Sequence, residues 1–131
     1  MPIDRAAFAA WIEGYEWAWR SRSAAGVCEL FAADATYLHS PYDEPIEGLA
    51  AIEADWDVDV DGPSEVFTMS AEIVAVDGDI GVARVLVRYG GERGQEYLDL
   101  WVVRFGADGR CTRFEEWPFW PGQPWSAAAL S

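Results

Sequence analysis

The chain has 131 residues, a formal net charge of −14 and 51% hydrophobic residues, including 8 Trp. That length suits one domain with one core, and the apolar fraction is too high for a disordered chain. The acidic balance repels phosphate backbones and anionic lipid head groups, so neither nucleic acid nor a membrane is an expected partner.

Asp4 is an N-cap for a first helix in which Phe8, Trp11, Ile12, Tyr15 and Trp19 recur at helical spacing as one wide apolar face. Tyr15 lies mid-face, where a buried phenol must find a hydrogen-bond partner. Trp17 falls opposite Phe8, so it packs on a partner or marks a helix buried on two sides. Ser21-Arg22-Ser23 breaks the helix, and Ala24–Phe31 reads as a second, short one. A turn at Ala33-Asp34 leads to a short strand, Ala35–His39. Pro41 and Pro45 keep Ser40 and Glu44 out of helical backbone, so an extended loop sets the single histidine beside Asp43 and Glu44. A third helix is entered at Gly48, with Leu49, Ile52 and Trp56 inward and Glu53, Asp55 and Asp57 outward or flanking. The run Asp57–Gly62 resembles the start of a calcium-binding loop. The position of its bidentate glutamate holds Thr68, so a solvated acidic turn is expected and no metal.

The remainder reads as an antiparallel meander. Val66–Val76 and Ile80–Tyr89 flank a hairpin at Asp77-Gly78, Gly90–Gly94 turns into Tyr97–Phe105, and Ala107-Asp108-Gly109 turns into Cys111–Trp117. Pro118–Trp125 is too rich in proline for a strand, and its aromatics are expected on the rim of the domain or on a second subunit. Residues 126–131 are expected to fray. Helices first and strands after give an α+β class. Cys28 and Cys111 stand far apart without CxxC spacing and read as reduced thiols. Ala6–Trp11 is too short for a signal peptide and no run approaches a membrane span, so a cytoplasmic location is expected.

Alternation sorts the candidates for chemistry. Tyr97, Asp99, Trp101, Val103 and Phe105 share one strand face, and Leu98, Leu100, Val102 and Arg104 the other. Both are largely apolar, so periodicity does not choose the inner one. A carboxylate amid apolar neighbours is costly unless it is paired or faces a cavity. Asp99 therefore lines a pocket or pairs with Arg84 or Arg88, and Glu116 lines the pocket or makes a rim salt bridge.

Leu30-Phe31-Ala32, Asp34-Ala35, Tyr37, Pro41, Glu44-Pro45-Ile46, Gly48 and Ala51-Ile52 form a pattern that resembles the nuclear transport factor 2-like superfamily. Within it, the pattern is similar to the SnoaL-like and ketosteroid isomerase-like branch. The resemblance extends over residues 5–120 and implies a cone-shaped fold, with three N-terminal helices packed in a curved, mostly antiparallel sheet. It also implies a homodimer through the sheet. Counted without gaps, Tyr15 falls on the tyrosine that donates to the substrate oxyanion in ketosteroid isomerases, and His39 on their general-base aspartate. Their second donor, a protonated aspartate, aligns near Trp101, with Asp99 two residues earlier on the same face. In the epoxide hydrolase branch an arginine stands two residues before the strand aspartate; here that residue is Tyr97.

The expected site is thus Tyr15, His39, Asp99 and Glu116 converging in a cavity lined by Trp11, Trp19, Trp56, Trp101, Val103 and Phe114. A histidine and a buried carboxyl suit proton transfer next to a carbonyl without a cofactor: isomerisation, aldol-type cyclisation or dehydration of a small hydrophobic molecule. The alternatives are a non-catalytic binding module and a dimeric assembly domain.

Overall fold

Asp4 accepts a hydrogen bond from the Ala7 amide at 2.7 Å and starts helix α1 (Arg5–Ser21). Arg22 closes α1 in the left-handed region, and Ser23 caps α2 (Ala24–Leu30) through the Gly26 amide. The computed structural model describes residues 2–56, 66–90 and 94–122. Strand β1 (Phe31–Leu38) follows α2 directly and pairs with a two-residue β2 (Ile46–Glu47). Helix α3 (Leu49–Asp55) is entered at Gly48, whose φ of 90° disfavours a side chain. Strands β3 (Phe67–Asp77), β4 (Ile80–Tyr89), β5 (Glu96–Phe105) and β6 (Cys111–Phe119) then form the expected meander.

The sheet runs β2-β1-β6-β5-β4-β3, with every pair antiparallel except β1–β6. The three helices and this curved mixed sheet make the α+β fold that the resemblance implies. The core lies between them. Phe8, Trp11, Ile12 and Tyr15 of α1 are buried with Val85, Trp101, Val103 and Phe114 of the sheet. Trp11 satisfies its indole N–H on the Leu30 carbonyl at 3.0 Å. Gly81 lets Phe8 sit against the sheet backbone: a Cβ there would lie 2.6 Å from the ring.

Several boundaries differ from expectation. The chain at Ala33-Asp34 is not a turn before a strand but a register irregularity inside β1, between Phe31 and Thr36. The last strand continues through Pro118, which pairs with Asp99. Pairing of β6 with β1 ends at Glu115, so Pro118 lies where β6 has a neighbour on one side only and its missing N–H is tolerated. Trp17 is 60% exposed, so α1 is not buried on two sides. Trp120 does return to the rim, 6.1 Å from Tyr97 between ring centroids. The acidic run Asp57–Gly62 and the chain beyond Gly122 lie outside the described residues. Among the described residues, no helix is long and apolar enough to cross a membrane.

Candidate functional site

The sheet resolves which face of β5 is inward. Asp99, Trp101, Val103 and Phe105 are buried, while Leu98 and Arg104 are exposed. On β6, Glu116 stands opposite Trp101 and Pro118 opposite Asp99, so the two carboxyls are diagonal neighbours on the same face. The parallel β1 brings Tyr37 alongside Phe114, and α1 lays Tyr15 across them, its ring stacked on Phe114 at 5.6 Å. The Tyr37 hydroxyl donates to Glu116 Oε2 at 2.5 Å, and the Tyr15 hydroxyl reaches the same oxygen at 3.4 Å.

Burial governs the protonation of this group. It pushes both phenols well above their ordinary range, with the Glu116 charge adding to the effect, so Tyr15 and Tyr37 stay donors. Burial also raises the Glu116 carboxyl, while the Tyr37 hydrogen bond holds it back. Asp99 is pushed up to about 7, by burial first and by Glu116 second. It is 5% exposed, and its Oδ1 has no hydrogen-bond partner. Arg84 and Arg88 are exposed on the opposite sheet face, and Arg88 binds Glu96, so neither neutralises Asp99.

These groups open onto a cavity of about 370 Å³. Its inner wall holds Tyr15, Tyr37, Asp99, Trp101 and Glu116, and Trp19, Phe67, Tyr89 and Tyr97 form its sides. At the rim, His39 Nε2 lies 3.1 Å from Asp55 Oδ2, with both side chains partly exposed. All four expected site residues, Tyr15, His39, Asp99 and Glu116, therefore line one cavity. Of the expected pocket residues, Trp19 and Trp101 line it. Trp11, Trp56, Val103 and Phe114 do not; they are packed behind the wall. Trp11 is locked between Phe31, Phe105 and Phe114, and Trp56 is wedged against Tyr15, Trp19 and Phe31.

The acid beside His39 is Asp55, from the face of α3 that was expected to be outward or flanking, and not Asp43 or Glu44, which are exposed. Tyr37 was missed, although alternation puts it on the same side as His39; their ring centroids are 4.9 Å apart. Among the described residues, no three His, Cys, Asp or Glu side chains group as metal ligands. Chemically, the arrangement offers two phenolic donors, one carboxyl poised to titrate near neutrality, and a second carboxyl that orients the donors.

The family comparison agrees with this fold. The family model for the SnoaL-like domain matches residues 6–114. The chain belongs to that family, within the nuclear transport factor 2-like superfamily. No curated protein matches it. Among solved structures, it is similar to a proposed ketosteroid isomerase from Kribbella flavida, at 17% identity over 88% of this chain and 79% of that one, with a TM-score of 0.66. It is also similar to a proposed aromatic ring hydroxylase from Novosphingobium aromaticivorans, at 22% identity over 90% of each chain, with a TM-score of 0.63. A protein of unknown function from Methylobium petroleophilum, described as having a cystatin-like fold, superposes with a TM-score of 0.68 at 15% identity, covering 96% of this chain and 83% of that one. At these identities the likeness is one of fold, and activity must be argued from the site.

Proposed function

We propose that this SnoaL-like protein binds a small hydrophobic carbonyl compound in the cavity and moves a proton next to its carbonyl, as a cofactor-independent isomerase, cyclase or dehydratase. The observation that supports this most is Asp99: a buried carboxyl that faces a cavity, lacks a hydrogen-bond partner at Oδ1, and titrates near neutral pH. A structural carboxyl has both oxygens paired; one that meets Trp101 and Glu116 but keeps Oδ1 unsatisfied toward open space is placed for exchange with a ligand.

In this reading the Asp99 carboxylate takes a proton from the carbon next to the carbonyl. The electron pair moves into the enolate, and the oxygen that gains charge accepts a hydrogen bond from Tyr15. The Asp99 carboxyl then returns the proton to carbon. Glu116 holds Tyr37 and steadies Tyr15, whose long bond at 3.4 Å leaves its hydroxyl free to turn to a ligand. His39 and Asp55 form a second polar pair where the cavity meets solvent.

The test is deuterium incorporation at the carbon next to the carbonyl, followed by NMR, for a panel of cyclic enones and aryl ketones in heavy water. Exchange above buffer that falls about 100-fold or more in Asp99→Asn is expected, the size of a general acid–base contribution. Ketones that bind without exchanging faster than in buffer would leave a binding module and retire the catalytic reading.

A further inference from the structure

The cavity has a composition that a neutral ligand does not require. Three carboxyls, Asp55, Asp99 and Glu116, face it, and none of its described lining residues is lysine or arginine. Its other walls are ring-rich, with Trp19, Tyr37, Phe67, Tyr89, Tyr97 and Trp101. Ring faces carry negative potential and hold cations, more strongly where water is excluded. A neutral carbonyl uses the phenol donors but gives Asp99 Oδ1 nothing to pair with. A positively charged nitrogen is attracted by both the carboxylate and the ring faces, and donates to Oδ1 as well where it carries an N–H.

We propose that the ligand carries a positively charged nitrogen, a substituted or quaternary ammonium on a ring-bearing skeleton, seated between Asp99 and the aromatic walls. This rests on the reading of the cavity as the ligand site and names the class of ligand it takes. The fold already seats one cation on such a ring: the Arg20 guanidinium lies 4.0 Å over Phe67, held by Glu16 and by the Phe67 carbonyl. The net charge of −14 draws cations toward the molecule as a whole. A cation beside Asp99 favours its ionised form, which is the form that accepts a proton, so binding and activation are one event. The titratable groups that face Asp99 across the cavity are Tyr15 from α1, Tyr37 and His39 from β1 and its end, Asp55 from α3, Tyr89 from β4, Tyr97 from β5 and Glu116 from β6.

The experiment compares phenyltrimethylammonium with its uncharged carbon isostere tert-butylbenzene, by tryptophan fluorescence and NMR line shape on the full chain. It is run in about 0.15 M salt, where exposed charges are screened beyond about 8 Å. The cation is expected to bind about tenfold tighter, a preference of the size that cation–π and carboxylate contacts supply. Because Asp99 titrates at about 7, the preference should be full near pH 8 and shrink near pH 5. Asp99→Asn should abolish most of the difference between the two probes. Asp43→Asn, an equal change of net charge on an exposed loop, should leave it intact. Equal binding of the two probes, or a preference indifferent to both pH and Asp99→Asn, overturns the inference. The two proposals fail separately: proton exchange on neutral ketones without a cation preference retires only the ligand class, and a cation preference without exchange retires only the catalysis.

Discussion

Tyr37 and Glu116 are joined by the shorter of the two phenol bonds to that carboxylate, 2.5 Å against 3.4 Å for Tyr15. Burial raises the Glu116 pKa, and the short bond opposes that rise more than the long one does. Tyr37→Phe should therefore raise the Glu116 pKa further and cost about 1–3 kcal/mol, the range for a buried polar group left short of a partner. Tyr15→Phe should cost less. Carbon-detected NMR titration and urea unfolding check both. Equal losses for the two variants would mean that the phenols share the carboxylate evenly.

Gly81 and Phe8 test the packing of α1 on the sheet. Phe8 is fully buried, and a Cβ on Gly81 would sit 2.6 Å from two of its ring carbons. Neither a strand backbone nor a core ring yields that distance cheaply. Gly81→Ala should lower stability by about 1–3 kcal/mol, as overpacking does. A change within about 0.5 kcal/mol, the range of neutral surface substitutions, would show that α1 does not press on β4 as described.

Much of this was legible in the sequence because burial writes a period. The spacing of Phe8, Trp11, Ile12 and Tyr15 gave α1 its inner face, and Asp4 its start. Asp99 stood out because a charge amid apolar neighbours needs a reason, although Arg84 and Arg88 were available explanations until the pairing register, Arg84 opposite Leu100 and Arg88 opposite Glu96, sent them to the other face. The inner face of β5 was not legible, since Leu100 and Val102 on its outer side are themselves half-buried. Nor was the role of Asp55. It meets His39 across 16 residues, and neither helical period nor local charge predicts a contact made where a strand end passes a helix end. Pro118 misled for a local reason: proline stops a strand with two neighbours but not one with a free side.

His39 and Asp99 divide the chemistry by depth, and kinetics can tell them apart. His39 is at the rim, with its side chain 43% exposed and paired with Asp55, whereas Asp99 is on the inner wall. A partly exposed polar pair of this kind contributes at most about 1 kcal/mol, so His39→Ala and Asp55→Asn should unfold close to wild type. In the proton-exchange assay His39→Ala should cost less than about tenfold, against about 100-fold or more for Asp99→Asn, the full size of a lost acid–base group. The reverse order would move the base from the inner wall to the rim.

Asp99 also sets a pH dependence whose direction is opposite to that of a salt-bridged carboxylate. Its pKa rises from 3.8 to about 7 on folding, so between those values the native state holds a proton that the unfolded chain has released. Where the native state binds more protons, stability falls as pH rises. The stability that the buried neutral carboxyl permits is thus whole below about pH 4 and is lost by about pH 7, on the order of 4 kcal/mol for a shift of this size. The other acidic groups of a chain at −14 add self-repulsion over the same range, so wild type alone is a poor gauge. The informative quantity is the difference in unfolding free energy between wild type and Asp99→Asn, from urea melts at steps from about pH 4 to about pH 8 across the titration of Asp99. Asparagine does not ionise, so wild type should lose ground to the variant steadily through this window. A constant difference would show that Asp99 titrates alike in both states and that the cavity does not desolvate it.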